Sequence, residues 1–204
     1  MKTNNYFIGP ASAFIVACGF FLLFTEPREA QLAFHQWSAS GTGLLIFQWI
    51  TMWAEWPFFV LAGALFLYYR NFRGVLAILF AAGASAATSQ FLKRVVFPDA
   101  ERPMAFFGTE SIAFPVDEFT VLLEHSFPSG HSTAAFALMG TLAFFIRRRA
   151  VSIALAVVAM LTAFSRVYLM LHWVVDIAAG AALGLLVAIA VNAVVITRTK
   201  KAAP

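Results

Sequence analysis

An all-helical membrane bundle is the fold class this sequence predicts, on three observations. Of its 204 residues, 61% are apolar and only 12% are charged, against about 45 to 50% apolar in soluble domains. Mean hydropathy is +0.82, so a water-facing surface of ordinary charge density cannot be built from this composition. Six segments are apolar enough to cross a bilayer, which takes about 20 residues each. They are residues 6–24, 44–69, 74–97, 131–146, 150–171 and 172–196. None alternates with the period of a barrel strand, and each is apolar around most of its circumference. Six transmembrane helices in one bundle use up the length, so residues 1–204 read as a single membrane-embedded domain. A soluble enzyme is not expected from this composition, and the length leaves no room for a second globular domain.

The elements follow in order. The first span has only Lys2 ahead of it, and its apolar run passes Ile15 to Cys18, which look like a lipoprotein cleavage site, to reach Phe24. That length favours an uncleaved helix over a signal peptide. Residues 27–40 place Leu32, Phe34 and Trp37 among polar neighbours, as an interfacial amphipathic segment or an ordinary loop would. The second span holds Glu55 among Trp53, Trp56 and Pro57, where an ionised carboxylate is expensive. Its leading reading is a hydrogen bond across helices in the neutral form, with substrate or cation binding as the alternative. Gly and Ala crowd residues 81–87 of the third span and 178–184 of the sixth, which predicts that these two helices are interior. The fourth span is short, and the fifth and sixth nearly abut. Trp37, Trp49 and Trp173 fit an aromatic belt at the outer interface.

Charge sets the orientation. With the amino terminus in the cytoplasm, the inside segments carry Lys2, Arg70, Arg73, Arg147, Arg148, Arg149, Arg198, Lys200 and Lys201, with no acid among them. The outside receives Arg28, Lys93, Arg94, Arg102 and Arg166, and every acid but Glu55. This bias places both termini in the cytoplasm and the loop at about 98–130 outside. The net charge of +4 therefore reports topology, and no nucleic-acid partner is expected. A single cysteine, Cys18, excludes an intramolecular disulfide, a cysteine zinc site and an iron–sulfur cluster.

Ionisable groups at span edges are functional candidates by default, and here they converge. Lys93 and Arg94 close the third span, Arg102 follows in the loop, His131 opens the fourth span behind Pro128, Ser129 and Gly130, and Arg166, His172 and Asp176 occupy the last junction. His172 and Asp176 stand four apart, as neighbours on one helix face. A carboxylate there accepts one ring N–H and frees the other nitrogen as a nucleophile or base. Gly130 allows close backbone approach, and the N–H groups of a helix's first turn bind anions. Guanidinium groups match phosphate oxygens. Together these parts describe a phosphoryl-transfer site. A lone interfacial histidine or arginine is more often an anchor, and it is the convergence that raises the functional reading. His125 reads as a loop residue near the entrance. The loop acids Asp99, Glu101, Glu110, Asp117, Glu118 and Glu124 lack ligand spacing and read as solvated, so no metal site is expected.

Three blocks carry a family resemblance: Lys93 to Pro103; Pro128, Ser129, Gly130 and His131; and Ser165, Arg166, His172 and Asp176. In order and separation they resemble the signature motifs of the type 2 phosphatidic acid phosphatase (PAP2) family, whose membrane members have six helices. The first block departs, with eight residues between Lys93 and Arg102 where the family has six, so either Lys93 or Arg94 could reach phosphate. The resemblance implies a metal- and cofactor-independent phosphatase with a phosphohistidine intermediate. By similarity, His172 attacks phosphorus, Asp176 orients it and His131 protonates the departing oxygen. Lys93, Arg102, Ser129, Gly130 and Arg166 would hold the phosphoryl oxygens. The implied substrate is a lipid phosphate or pyrophosphate at the outer leaflet of the cytoplasmic membrane: undecaprenyl pyrophosphate, phosphatidylglycerophosphate, phosphatidate or the phosphate of lipid A. Membrane lipids are the expected surroundings and no protein partner is evident. The rival readings are a phosphotransferase using the same site and a lipid-phosphate binding or transport protein without turnover.

Overall fold

Long apolar segments become helices because, without water, a helix satisfies its own backbone hydrogen bonds. The computed structural model describes residues 4–38, 41–107 and 123–197, with no strand among them. The α-helices are α1 (Asn5–Phe24), α2 (Pro27–Ser38), α3 (Gly41–Thr51), α4 (Trp56–Tyr68), α5 (Phe72–Phe91), α6 (Pro103–Phe107), α7 (Gly130–Ile146), α8 (Arg149–Tyr168) and α9 (Val174–Val191). A 3-10 turn, Met52–Ala54, joins α3 to α4, and π-helical turns extend α5 over Leu92–Val96 and α9 over Asn192–Thr197.

Among the described residues, four segments have the length and hydropathy to cross a membrane: Asn5–Phe24, Phe72–Val96, Arg149–Tyr168 and Val174–Val195. The expected second span is instead two helices, Thr42–Ala54 and Trp56–Tyr68, bent by 50° with Glu55 at the break. The fourth, Gly130–Ile146, is apolar but shorter than a full span. The protein is a multi-pass membrane protein. The segment after the first span is helical, as α2, but its inward residues are Ala30 and Gln31 while Leu32 is exposed. Gln31 Nε2 donates to the Val167 carbonyl (2.8 Å) and approaches Met170 Sδ (3.1 Å), which docks α2 on the end of α8. The side chain of Trp37 lies outside the described residues; Trp49 is exposed.

The interior differs from expectation at one helix. α9 is interior, as its small residues predict, but α5 is not: it buries Ala77, Ile78, Ala81, Ser85 and Ser89 and turns Leu76, Leu79 and Phe80 outward. The centre belongs to α7, which packs on α5, α8 and α9 and buries Phe136, Leu138, Gly140 and Phe144 along its length. Its contact with α9 is backbone-close. A Cβ on Gly180 would stand 2.5 Å from the Ser129 carbonyl oxygen, and one on Gly184 would strike the Thr133 carbonyl. Two glycines four apart thus let α9 lie against the first turns of α7, and both helices begin at the same end of the bundle. At the opposite end Asn4 Nδ2 donates to the Ala143 carbonyl (2.7 Å) and to Ser152 Oγ (2.9 Å), tying the amino terminus to the turn between α7 and α8.

Candidate active site

The junction between α8 and α9 builds the centre. After Tyr168 the chain turns back through Met170, at φ 55°, and the N–H groups of Leu171 and His172 both donate to the Arg166 carbonyl (2.9 and 3.1 Å). α9 starts at Val174, with Trp173 as its N-cap. His172 therefore precedes the helix, where the spacing had placed it on the same helix as Asp176. The two still meet, because Asp176 in the first turn folds back over the helix N-terminus and accepts from the Trp173 N–H at 3.0 Å. The same oxygen, Oδ2, stands 3.1 Å from His172 Nδ1 and accepts from Ser126 Oγ. A carboxylate only accepts, so Nδ1 carries the hydrogen and Nε2 is left with its lone pair. Nε2 faces Arg102 Nη1 at 3.5 Å. Both side chains of the pair are 2% exposed. Burial first, and then the charges of Arg102, Arg166 and Lys93, hold the His172 ring well below the ordinary imidazole value, which favours its neutral form.

Three cations surround that ring. The π turn at the end of α5, closed by Phe97 N–H donating to the Leu92 carbonyl (2.8 Å), turns Lys93 inward. Its ammonium is buried and donates to the His125 carbonyl at 2.8 Å. Arg94 is exposed and binds Gln90 Oε1 (3.1 Å), so of the two residues it is Lys93 that faces the site. Arg102 is buried and fixed by the carbonyls of Glu124 (Nε, 3.0 Å) and Leu171 (Nη1, 3.1 Å). The π turn and the loop between them thus absorb the longer first motif and still bring both of its cations to His172. Arg166, in the last turn of α8, donates from Nη1 to Thr51 Oγ1 at 2.8 Å. Its buried Nε–H has no partner among the described residues.

The N-terminus of α7 completes the site. Ser129 caps it, its N–H donating to the Asp176 carbonyl (3.0 Å) and its hydroxyl accepting from the N–H (3.3 Å) and hydroxyl (3.0 Å) of Ser132. Fully buried, the Ser129 hydroxyl is turned into the helix. The first-turn N–H groups of Gly130 and His131 have no acceptor within the helix, and a Cβ on Gly130 would stand 4.0 Å from Lys93 Cε. His131 is partly exposed, and its Nε2 lies 3.8 Å from Glu55 Oε1. Both flank a cleft of about 350 Å³ between α4, α5 and α7, walled by Ala54, Trp56, Phe59, Ser89, Gln90 and His131 among others. The cleft is mostly apolar and reaches Gly130 and His131 at the N-terminus of α7.

Sequence reasoning missed Ser126, Thr51 and the His125 carbonyl. The first two are ordinary hydroxyl residues with no spacing relation to Asp176 or Arg166, and the third acts through its backbone. Of the loop acids, Asp99, Glu101 and Glu124 are exposed, and Glu110, Asp117 and Glu118 lie outside the described residues. Among the described residues no three His, Cys, Asp or Glu side chains gather as metal ligands would.

Known proteins share this plan. The model of the PAP2 superfamily matches residues 74–200. Phosphatidylglycerophosphatase B of Bacillus subtilis (strain 168) is 30% identical over 142 residues, which are 64% of this chain and 62% of that protein. The chain thus aligns with less than two thirds of that relative's length. The crystal structure of a transmembrane PAP2-type phosphatidylglycerolphosphate phosphatase from Bacillus subtilis superposes with a TM-score of 0.65 at 23% identity, covering 98% of both chains. Aquifex aeolicus LpxE gives 0.68 at 20% identity, covering 82% of this chain and 95% of that one. At these identities the two structures establish a common fold.

Proposed function

The chain belongs to the PAP2 superfamily, and on that premise we propose that it is a lipid phosphatase working through a phosphohistidine. The observation that carries the reading is the buried His172–Asp176 pair, whose free Nε2 points among three cations beside the N-terminus of α7. In the first step Nε2 of His172 bonds to phosphorus, the bond from phosphorus to the lipid oxygen breaks, and His131 gives that oxygen a proton. In the second step water attacks phosphorus, His131 takes a proton from it, and the P–N bond breaks to release phosphate and His172. Lys93, Arg102, Arg166 and the backbone N–H groups of Gly130 and His131 neutralise and orient the three phosphoryl oxygens, which is most of what phosphoryl transfer requires. Ser129, its hydroxyl turned into α7, holds that helix N-terminus in place instead of contacting phosphate itself. The partnerless Nε–H of Arg166 suits a phosphate oxygen as acceptor. Lipid chains would occupy the apolar cleft, with the leaving oxygen beside His131 at its polar end.

Phosphatidylglycerophosphate and lipid A phosphate are the substrates that the names of the relatives favour, alongside phosphatidate and undecaprenyl pyrophosphate. Purified protein in detergent with a chelator, offered each of the four, should release phosphate from at least one and form an acid-labile phosphoenzyme. Lipid-phosphate binding without release would leave a binding protein; transfer to a second lipid would make it a phosphotransferase.

The site is proposed to lie outside the cytoplasmic membrane with both termini inside. Arg70, Arg73 and Arg147 to Arg149 lie at the end of the bundle away from His172, which fits the rule that cytoplasmic turns are basic. In a Cys18→Ala background, Glu124→Cys should be labelled by an impermeant thiol reagent on intact cells and Arg148→Cys should not. The opposite pattern would invert the topology.

A further inference from the structure

We propose that Glu55 is the positioning residue of His131, forming with it a second histidine–carboxylate pair that serves proton transfer to the leaving group. The inference rests on the acid role given to His131 above. A carboxylate within an apolar span needs a reason, and the chain is reshaped around this one. The helix stops at Thr51, makes the 3-10 turn Met52–Ala54, leaves Glu55 extended (φ −84°, ψ 164°) and restarts 50° away. A break of this kind exposes backbone groups that lipid cannot satisfy, yet the Glu55 side chain makes no capping hydrogen bond to α4. Capping therefore does not account for it.

What the break does is aim two polar groups at the active site from one span. Thr51 Oγ1 accepts from Arg166 at 2.8 Å, and Glu55 Oε1 stands at ion-pair distance, 3.8 Å, from His131 Nε2. The neighbours of Glu55, Ala54 and Trp56, wall the cleft together with His131, and Glu55 itself is 39% exposed. With Nε2–H directed at Glu55, the ring is oriented and Nδ1 is the nitrogen left for the departing oxygen. The carboxylate balances the imidazolium before the P–O bond breaks. Once Nδ1 has given up its proton, Nε2–H still holds the ring in place to receive a proton from the attacking water.

The test compares Glu55→Gln, Glu55→Asp, His131→Ala and the double variant Glu55→Gln/His131→Ala on two substrates. One is a phosphatidate, whose alkoxide leaves poorly without a proton; the other is para-nitrophenyl phosphate, whose leaving group needs none. Glu55→Gln should lower kcat on phosphatidate about ten- to a hundredfold, a part of what general acids contribute. Its KM should be nearly unchanged, and para-nitrophenyl phosphate should lose less than about threefold. Glu55→Asp should restore part of the loss with the same substrate selectivity, which also covers the case in which the glutamine variant folds poorly. In the His131→Ala background, Glu55→Gln should add nothing. Equal losses on both substrates, a loss carried by KM, or losses that simply add would overturn the pairing while leaving the acid role of His131 standing. A His131→Ala variant equally impaired on both substrates would overturn that acid role, and the pairing with it.

Discussion

Among the described residues two histidine–carboxylate pairs occur, and they are built in opposite ways. His172 and Asp176 are four residues apart, 3.1 Å in contact and 2% exposed, with the carboxylate also bound by Ser126 and the Trp173 backbone. His131 and Glu55 are 76 residues apart, one in the first turn of α7 and the other at the break before α4, 3.8 Å apart and 31% and 39% exposed at the cleft. The deep pair is held from several sides, which fits the proposed role of His172, since a nucleophile must meet phosphorus in line. The cleft pair is more open, which fits the proposed role of His131 in delivering a proton to the leaving oxygen. Burial and anchoring thus suit the proposed nucleophile, and access suits the proposed proton carrier.

The comparison can be broken most decisively at the deep pair. His172→Ala should lower turnover on the order of 10⁴-fold or more while lipid-phosphate binding survives, because Lys93, Arg102 and Arg166 remain. Activity within tenfold of wild type would remove the covalent route. Asp176→Asn keeps the imidazole but loses its charge partner, so kcat should fall roughly 10²- to 10⁴-fold, less than for His172→Ala. A loss equal to the alanine variant's, together with a lower melting temperature, would make Asp176 structural. Ser126→Ala removes one hydrogen bond to a charged acceptor, and about a tenfold fall in kcat is expected; an unchanged kcat would mean that Trp173 and His172 suffice to hold the carboxylate.

A titration sharpens the contrast without a rate. A ring held below its ordinary value stays neutral as pH falls through about 6.5, and only at lower pH does protonation remove its lone pair. NMR of ring-labelled histidine in the His131→Ala background should therefore show the His172 signal still neutral where free imidazole is half protonated. A midpoint at or above the ordinary value would mean that neither burial nor the cations disfavour the charged form of this ring.

Much of the site was legible in the chain because its parts are local. Pro128 to His131 encode a turn into a helix N-terminus, and Arg166, His172 and Asp176 fall within eleven consecutive residues. The local reading erred by one step there: His172 precedes α9, because the helix begins where Asp176 can cap it. It also left Lys93 and Arg94 equivalent. The choice between them was made by a π turn, a change in winding that apolar periodicity does not reveal.

Sequence alone determined the membrane class, because burial in lipid depends on unbroken apolar length, which is a property of consecutive residues. It determined the cluster of cations, imidazoles and carboxylate for the same reason, since charges at span edges stand out against an apolar background. Only the tertiary structure decided that α7 rather than α5 is central, that the second span breaks at Glu55, and that Ser126 and Thr51 serve Asp176 and Arg166. Those contacts join residues 50 and 115 positions apart. Separations of that size leave no period or spacing in the chain, and they come about only when packed helices, brought backbone-close by Gly180 and Gly184, carry distant side chains to one end of the bundle.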